Sequence, residues 1–325
     1  MKHFIELPPQ EQKIYLHEAA AKRGLSSVII EKDFWVCLVL ERIFQSSFRK
    51  EVTFKGGTSL SKVYGLIGRF SEDIDLTLDK DFVNSFSDAT SHAPKKITKQ
   101  CKKVIAEQLL PELVHTLSEY GTCNLAEDDE QTILFHYPSV IDESHDYIRK
   151  QVRVEFGARG EREPSTEKTI TPYLAEILPI TFDNAPPQIT VSALAAERTF
   201  WEKATILHSI AHQPEDRELN ERMSRHYHDL FMLAENQNIL EAALSDTDLL
   251  QQVTQHKKKY FKVAWDWYAS AKIGTLSLLP PRHLLSELKK DYEKTKVMLF
   301  DKEPISYEKL VEGLKKLEAT INNHS

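Results

Sequence analysis

The residues best able to do chemistry lie between Phe54 and Leu78. Asp73 and Asp75 flank Ile74, and Leu76 follows, so carboxylate and aliphatic side chains alternate. In an extended strand, side chains two apart share a face. Both carboxylates then point one way, while Ile74 and Leu76 enter a core on the other side. Adjacent carboxylates repel unless a cation lies between them. Mg²⁺ is the expected guest, held by one or two carboxylates and by the phosphates of a substrate. Just upstream, Gly56-Gly57-Thr58-Ser59 supplies what those phosphates need. Two glycines admit backbone angles closed to other residues and let an anion approach the main chain. Thr58, Ser59 and Ser61 bring hydroxyls to the start of a short helix, where unpaired N–H groups favour negative charge. Lys62 ends the run as a further candidate nucleotide contact. The Gly-Lys-Ser/Thr ending of a Walker loop is missing. The stretch reads instead as strand, glycine turn, short helix, loop, strand. An ordinary Gly-Gly turn or an ordinary acidic edge strand explains either half alone; the pair together points to a metal–nucleotide site.

These two halves, Lys55-Gly56-Gly57-Thr58-Ser59-Leu60 and Arg69-Phe70-Ser71-Glu72-Asp73-Ile74-Asp75-Leu76, resemble the AbiEii/AbiGii family of nucleotidyltransferase toxins. That family belongs to the polymerase-β-like nucleotidyltransferase superfamily. Glu31-Lys32-Asp33-Phe34-Trp35, Thr199 to Ala204, Arg225 to Leu230 and Met298-Leu299-Phe300 extend the resemblance from about Glu31 to the C-terminus. It implies an α+β fold, with a small mixed sheet flanked by helices in an N-terminal lobe and a helical C-terminal lobe. It implies Lys203 at a triphosphate and Asp229 completing the catalytic set. Asp73, Asp75 and Glu155 of one lobe would then face Lys203 and Asp229 of the other. It further implies an NTP substrate, an RNA acceptor with the 3′ end of tRNA foremost, and a role as the toxin of a toxin–antitoxin or phage-defence (abortive infection) pair, opposite a cognate antitoxin.

Taken by themselves, the same residues admit plainer roles. In a strand over Tyr147 to Gly157, Val152, Val154 and Phe156 alternate with Gln151, Arg153 and Glu155. Glu155 is the candidate third metal carboxylate, because a two-metal site needs more negative charge than two aspartates supply. Alternatively it faces solvent and pairs with Arg153 or Arg159. Ala196, Phe200, Lys203 and Leu207 share one helical stripe. A lysine there costs desolvation unless it meets an anion, snorkels outward, or pairs with Glu197 or Glu202. Asp229 could pair with Arg225 one turn away, worth a few tenths of a kcal/mol. His226 and His228, two apart on a helix, cannot face one ion together. Lys32 and Asp33 are expected to pair locally or to cap their helix.

Positioning these groups requires a substantial core. The chain has 325 residues, 41% hydrophobic and 28% charged, enough for two lobes, with Pro186-Pro187 marking a boundary between 1–188 and 189–325. Helices are expected over 10–24, ended by Gly24, and from a Ser26-Ser27 cap with Glu31 reaching back. Further helices are expected from Pro94 to about Tyr120, over Leu194 to His212, from Arg225 onward, and as a closing pair over 282–300 and 306–322. Strands are expected over 132–137, 147–157 and 189–191. The net charge of −7 argues against a protein that coats nucleic acid, but leaves room for a local basic track. Lys95, Lys96, Lys99, Lys102 and Lys103 lie close to one helix face, as either a solvated face or a path for an RNA backbone. Lys257-Lys258-Lys259 and Lys262 precede Trp265 and Tyr268, for which core packing is the better reading. No apolar run is long enough to cross a bilayer and no signal peptide is read. Cys37, Cys101 and Cys123 are odd in number and widely spaced, so reduced thiols in the cytoplasm are expected. Two rival functions fit the same residues: transfer to a protein hydroxyl, and regulation by NTP or RNA binding without turnover.

Overall fold

A computed structural model describes residues 1–87, 92–142, 148–262, 267–301 and 303–324. Among them, seven strands form one mixed sheet. They are β1 (Val52–Lys55), β2 (Ile74–Leu78), β3 (Thr122–Leu125), β4 (Thr132–His136), β5 (Val152–Gly157), β6 (Ser165–Ile170) and β7 (Ile189–Leu194). The order across the sheet is β3-β4-β5-β2-β1-β7-β6. β2 runs antiparallel to β1 and parallel to β5, and β1 is parallel to β7. This is the α+β architecture expected.

The strands at the centre follow the period-two pattern. Ile74, Leu76, Val152, Val154 and Phe156 are buried, whereas Asp75, Arg153 and Glu155 are half-buried. Each fully buried aliphatic or aromatic side chain contributes roughly 1.5–3 kcal/mol. A hydrophobic helix over Ser27–Gln45 packs among these strands, with Phe34, Trp35, Leu38, Val39 and Leu40 all inside. Trp35 stacks on Tyr137 at 5.2 Å between ring centroids. Ser26 caps this helix by accepting from the Ile29 N–H. Glu31 does not reach back to complete a capping box. It accepts instead from the Ser139 hydroxyl and the Val140 N–H, both at 2.7 Å.

Sequence periodicity does not announce β3 and β6. Both are edge strands whose side chains are largely exposed, so they are held by ladder hydrogen bonds rather than by an alternating apolar face. The expected helix from Pro94 comes in pieces: Pro94–Val104, a π-helical turn over Ile105–Leu109, and Leu110–Leu117. Pro111 explains the interruption, because it has no N–H to donate and its ring collides with the carbonyl one turn back. The expected start of β5 at Tyr147, part of the polar segment after Asn84, and Trp265 fall outside the described residues.

The chain forms two compact units, 1–63 with 70–194, and 64–69 with 195–325. The division follows Leu194 because β7 is hydrogen-bonded to both β1 and β6; a boundary at 188 would strip a strand from the sheet. The second unit is helical, built on Ala196–Ala211, Ser224–Glu235, Gln237–Ser245, Thr247–Tyr260, Leu285–Thr295 and Tyr307–Asn322. Residues 64–69 join it through a bridge between Arg69 and Leu299 and a 2.9 Å bond from the Phe300 N–H to the Gly68 carbonyl. Among the described residues no helix is long and apolar enough to cross a membrane.

Candidate active site

In the first unit, β1 leads straight into a helix over Gly56–Lys62, and β2 begins at Ile74. Asp75 lies within β2. Asp73 lies just before it, outside the ladder. Across the three central strands the register aligns Lys55, Asp75 and Glu155 in one row. Directly opposed residues share a face, so Glu155 stands beside Asp75. Its environment is strongly negative. Burial, then the charges of Asp75 and Asp73, push the Glu155 carboxyl up to about 7, despite Arg153 at 3.6 Å. Lys55 has no role that the motif alone assigns. Its place opposite Asp75 depends on the pairing of β1 with β2, which single-strand periodicity does not disclose.

Gly56 is needed twice over. Its φ of +78° belongs to the left-handed region, and a Cβ there would lie 2.0 Å from Asp75 Oδ2. The glycine turn is therefore packed directly on the carboxylate. Thr58 and Ser59 do not offer their hydroxyls outward. The Thr58 hydroxyl donates to the Asp73 carbonyl, fixing the segment before β2, and Ser59 is buried with no hydrogen bond to Oγ. Gly57 follows Gly56 in the first turn of that helix. Lys62 points to another task. Its ammonium lies 2.8 Å from Asp33 Oδ1 and 3.6 Å from the centre of the Tyr173 ring, and Asp33 also accepts from the Tyr173 N–H. Burial would lower the Lys62 pKa, but Asp33 outweighs it and the net shift is upward.

Lys32 and Asp33 thus neither pair with each other nor cap their helix. Asp33 holds Lys62, while Lys32 spans to Glu72 at 3.2 Å and to the carbonyls of Arg149 and Gln151. Both are buried, and a buried charge must find distant partners when its own helix offers none.

The second unit holds its own charged cluster. Arg69 grips Asp229 with two bonds, Nε to Oδ1 at 2.7 Å and Nη2 to Oδ2 at 2.9 Å. Lys203 Nζ donates to the same Oδ2 at 2.8 Å. Burial would raise the Asp229 carboxyl, but Arg69 and Lys203 overcome it and hold it well below the usual range. Lys203 therefore answers to neither Glu197 nor Glu202, and Asp229 does not rely on Arg225. Nothing local in the sequence signals that Arg69 has a partner so far along the chain. Two cations, Arg69 and Lys203, thus share one carboxylate.

The donor set in the first unit fits a hard divalent cation: carboxylate oxygens only, crowded with like charge, beside a glycine. Among the described residues no three His, Cys, Asp or Glu side chains form a ready-made cage. Two carboxylates completed by substrate phosphates is the arrangement that remains consistent with this set.

A family model described as nucleotidyl transferase AbiEii toxin, type IV TA system, matches residues 38–316. The chain belongs to this family. It is a nucleotidyltransferase of the toxin class in type IV toxin–antitoxin systems, which implies an NTP substrate and an antitoxin partner. The match begins after Glu31–Trp35, so that part of the sequence resemblance lies beyond it. The fold of this AbiEii chain is similar to that of MenT4, a nucleotidyltransferase toxin from Mycobacterium tuberculosis. The TM-score is 0.52 at 16% identity, over 95% of this chain and 90% of that one. No curated protein sequence matches the chain.

Proposed function

We propose that this AbiEii chain moves a nucleoside monophosphate from an NTP to an RNA hydroxyl, with the 3′ end of tRNA as acceptor. The acceptor oxygen bonds to the α-phosphorus while the bond to the β-phosphate oxygen breaks, and pyrophosphate leaves. The observation that carries this reading is the row of Asp75 and Glu155 beside Asp73, packed on Gly56. Asp73 and Asp75 would hold Mg²⁺, with Glu155 adding negative charge beside them. When bound, the ion would neutralise the triphosphate and favour the attacking oxygen. The chain's own work is positioning, which is most of what phosphoryl chemistry asks of a protein. Gly56 leaves room at Asp75, and Thr58 fixes the backbone of Asp73. In the second unit, Lys203, which shares the Asp229 carboxylate with Arg69, is assigned to a phosphate group.

An RNA acceptor is supported by the Pro94–Val104 helix. Ile97, Cys101 and Val104 are buried on one side, while Lys95, Lys96, Lys99 and Lys103 are exposed on the other. Lys102 is drawn to Glu130 at 2.7 Å. The deciding experiment incubates the protein with each α-labelled NTP, Mg²⁺ and total RNA. Label should enter RNA, survive protease, and vanish in Asp73→Asn and Asp75→Asn. Label in protein instead would transfer the acceptor role to a protein hydroxyl. Equal labelling by wild type and both variants would remove the assigned chemistry. Charge reversal of Lys95, Lys96 and Lys99 should weaken RNA use and flatten its salt dependence, by a slope of about 0.7 for each single-strand phosphate that is no longer neutralised.

A further inference from the structure

We propose that Lys32 is a positioning residue that sets Asp73 through Glu72, and so completes the metal-binding pair. This rests on the metal reading above.

The two aspartates are not held alike. Asp75 is fixed by ladders on both sides, to Lys55 of β1 and Glu155 of β5. Asp73 precedes the ladder, whose first aligned pair is Ile74 with Val154. Its place must come from elsewhere. Thr58 holds its carbonyl. Its chain neighbour Glu72 is buried and ion-paired to Lys32 at 3.2 Å. The same ammonium donates to the carbonyls of Arg149, at 2.8 Å, and of Gln151. Gln151 immediately precedes β5, as Glu72 and Asp73 immediately precede β2. A single side chain from the Ser27–Gln45 helix thus pins the starting ends of two neighbouring parallel strands, which carry Asp75 and Glu155.

Lys32 is only 1% exposed, so its ammonium has no water to fall back on. A buried ammonium is tolerated when it is compensated, and here it donates to two main-chain carbonyls and lies in ion-pair contact with Glu72. The acceptors include two main-chain carbonyls, which cannot rotate away, so the geometry is stiff. Removing the ammonium takes away one hold on Glu72, and so on the backbone that leads into Asp73. Asp75 keeps its ladder, so the defect falls on one metal ligand rather than on the sheet.

The test uses the full-length chain and Mn²⁺ as the probe, titrated by electron paramagnetic resonance with a non-hydrolysable NTP analogue at saturation. Circular dichroism and a thermal melt accompany each variant. Lys32→Met and Glu72→Gln should each raise the Mn²⁺ Kd threefold or more while keeping a wild-type spectrum. A smaller change in either folded variant overturns the proposal, including the case where only the melting temperature falls. If Lys32→Met does not fold, Glu72→Gln decides alone. Asp73→Asn separates the two levels of the argument. Should it bind Mn²⁺ as wild type does, the metal reading itself is lost. Should it lose Mn²⁺ while Lys32→Met keeps it, the positioning role alone is lost.

Discussion

Arg69 and Asp229, 160 positions apart in the chain, form a two-bond ion pair in which both side chains are buried, at 3% and 0% exposure. Lys203 adds a second cation to the same carboxylate. The pair ties the 64–69 segment to the helical unit, and the arrangement fixes an order among its variants. Asp229→Ala removes the carboxylate that two buried cations share. Arg69→Leu leaves Lys203 and Asp229 matched one to one. Lys203→Met leaves the two-bond pair intact. Breaking a buried pair costs roughly 3–5 kcal/mol. Urea unfolding should therefore rank the losses Asp229→Ala first, Arg69→Leu second and Lys203→Met last. A Lys203→Met loss equal to that of Asp229→Ala would show that the cluster is not organised around the carboxylate.

Gly56→Ala should be far more harmful to activity than its size suggests. The left-handed backbone angle costs an L-residue roughly 1–2 kcal/mol. The new methyl would also drive Asp75 from its place, since their separation would be 2.0 Å. Nucleotide transfer should fall at least tenfold. Gly24→Ala is the control. Gly24 has a similar φ of +72° but nothing within 4 Å, so that variant should lose stability and keep its rate.

Glu155 predicts a pH-dependent stability with a definite sign. Its carboxyl titrates near 4.5 without the fold and near 7 within it. Between those values the folded state holds the extra proton, so stability falls as pH rises through the window and the loss is complete above it. Nearly half of the side chain meets solvent, which screens the effect to about 1 kcal/mol or less. Glu155→Gln should melt above wild type at pH 8. The advantage should shrink as pH drops from 7 and vanish below 4.5. An advantage that grows on acidification would contradict the placement of the three carboxylates.

Lys62 offers a sharp contrast between two roles. Held by Asp33 and lying over Tyr173, its ammonium belongs to the interior of the first unit. Lys62→Met should cost roughly 3–5 kcal/mol of stability, because it leaves Asp33 buried with one partner fewer. The KM for NTP should stay within about twofold of wild type for the fraction that folds. A large rise in KM with unchanged stability would return Lys62 to the nucleotide.

Local rules were enough for the heart of this chain. The alternation of Ile74, Asp75 and Leu76, and the Gly-Gly bend before it, specified strand, turn and helix, because side-chain direction repeats every two residues in a strand; Asp73, expected on the same strand as Asp75, lies just before β2. Glu155 was legible for the same reason, as the polar half of an alternating strand. Which strands stand next to one another was not legible, so Lys55 could not be placed opposite Asp75. Edge strands β3 and β6 left no apolar pattern to read. The charged side chains were the least legible of all. Lys32 with Glu72, Lys62 with Asp33, and Arg69 with Asp229 are pairs made by topology. Periodicity tells a charge which way to face; only the packing of distant segments decides which opposite charge is waiting there.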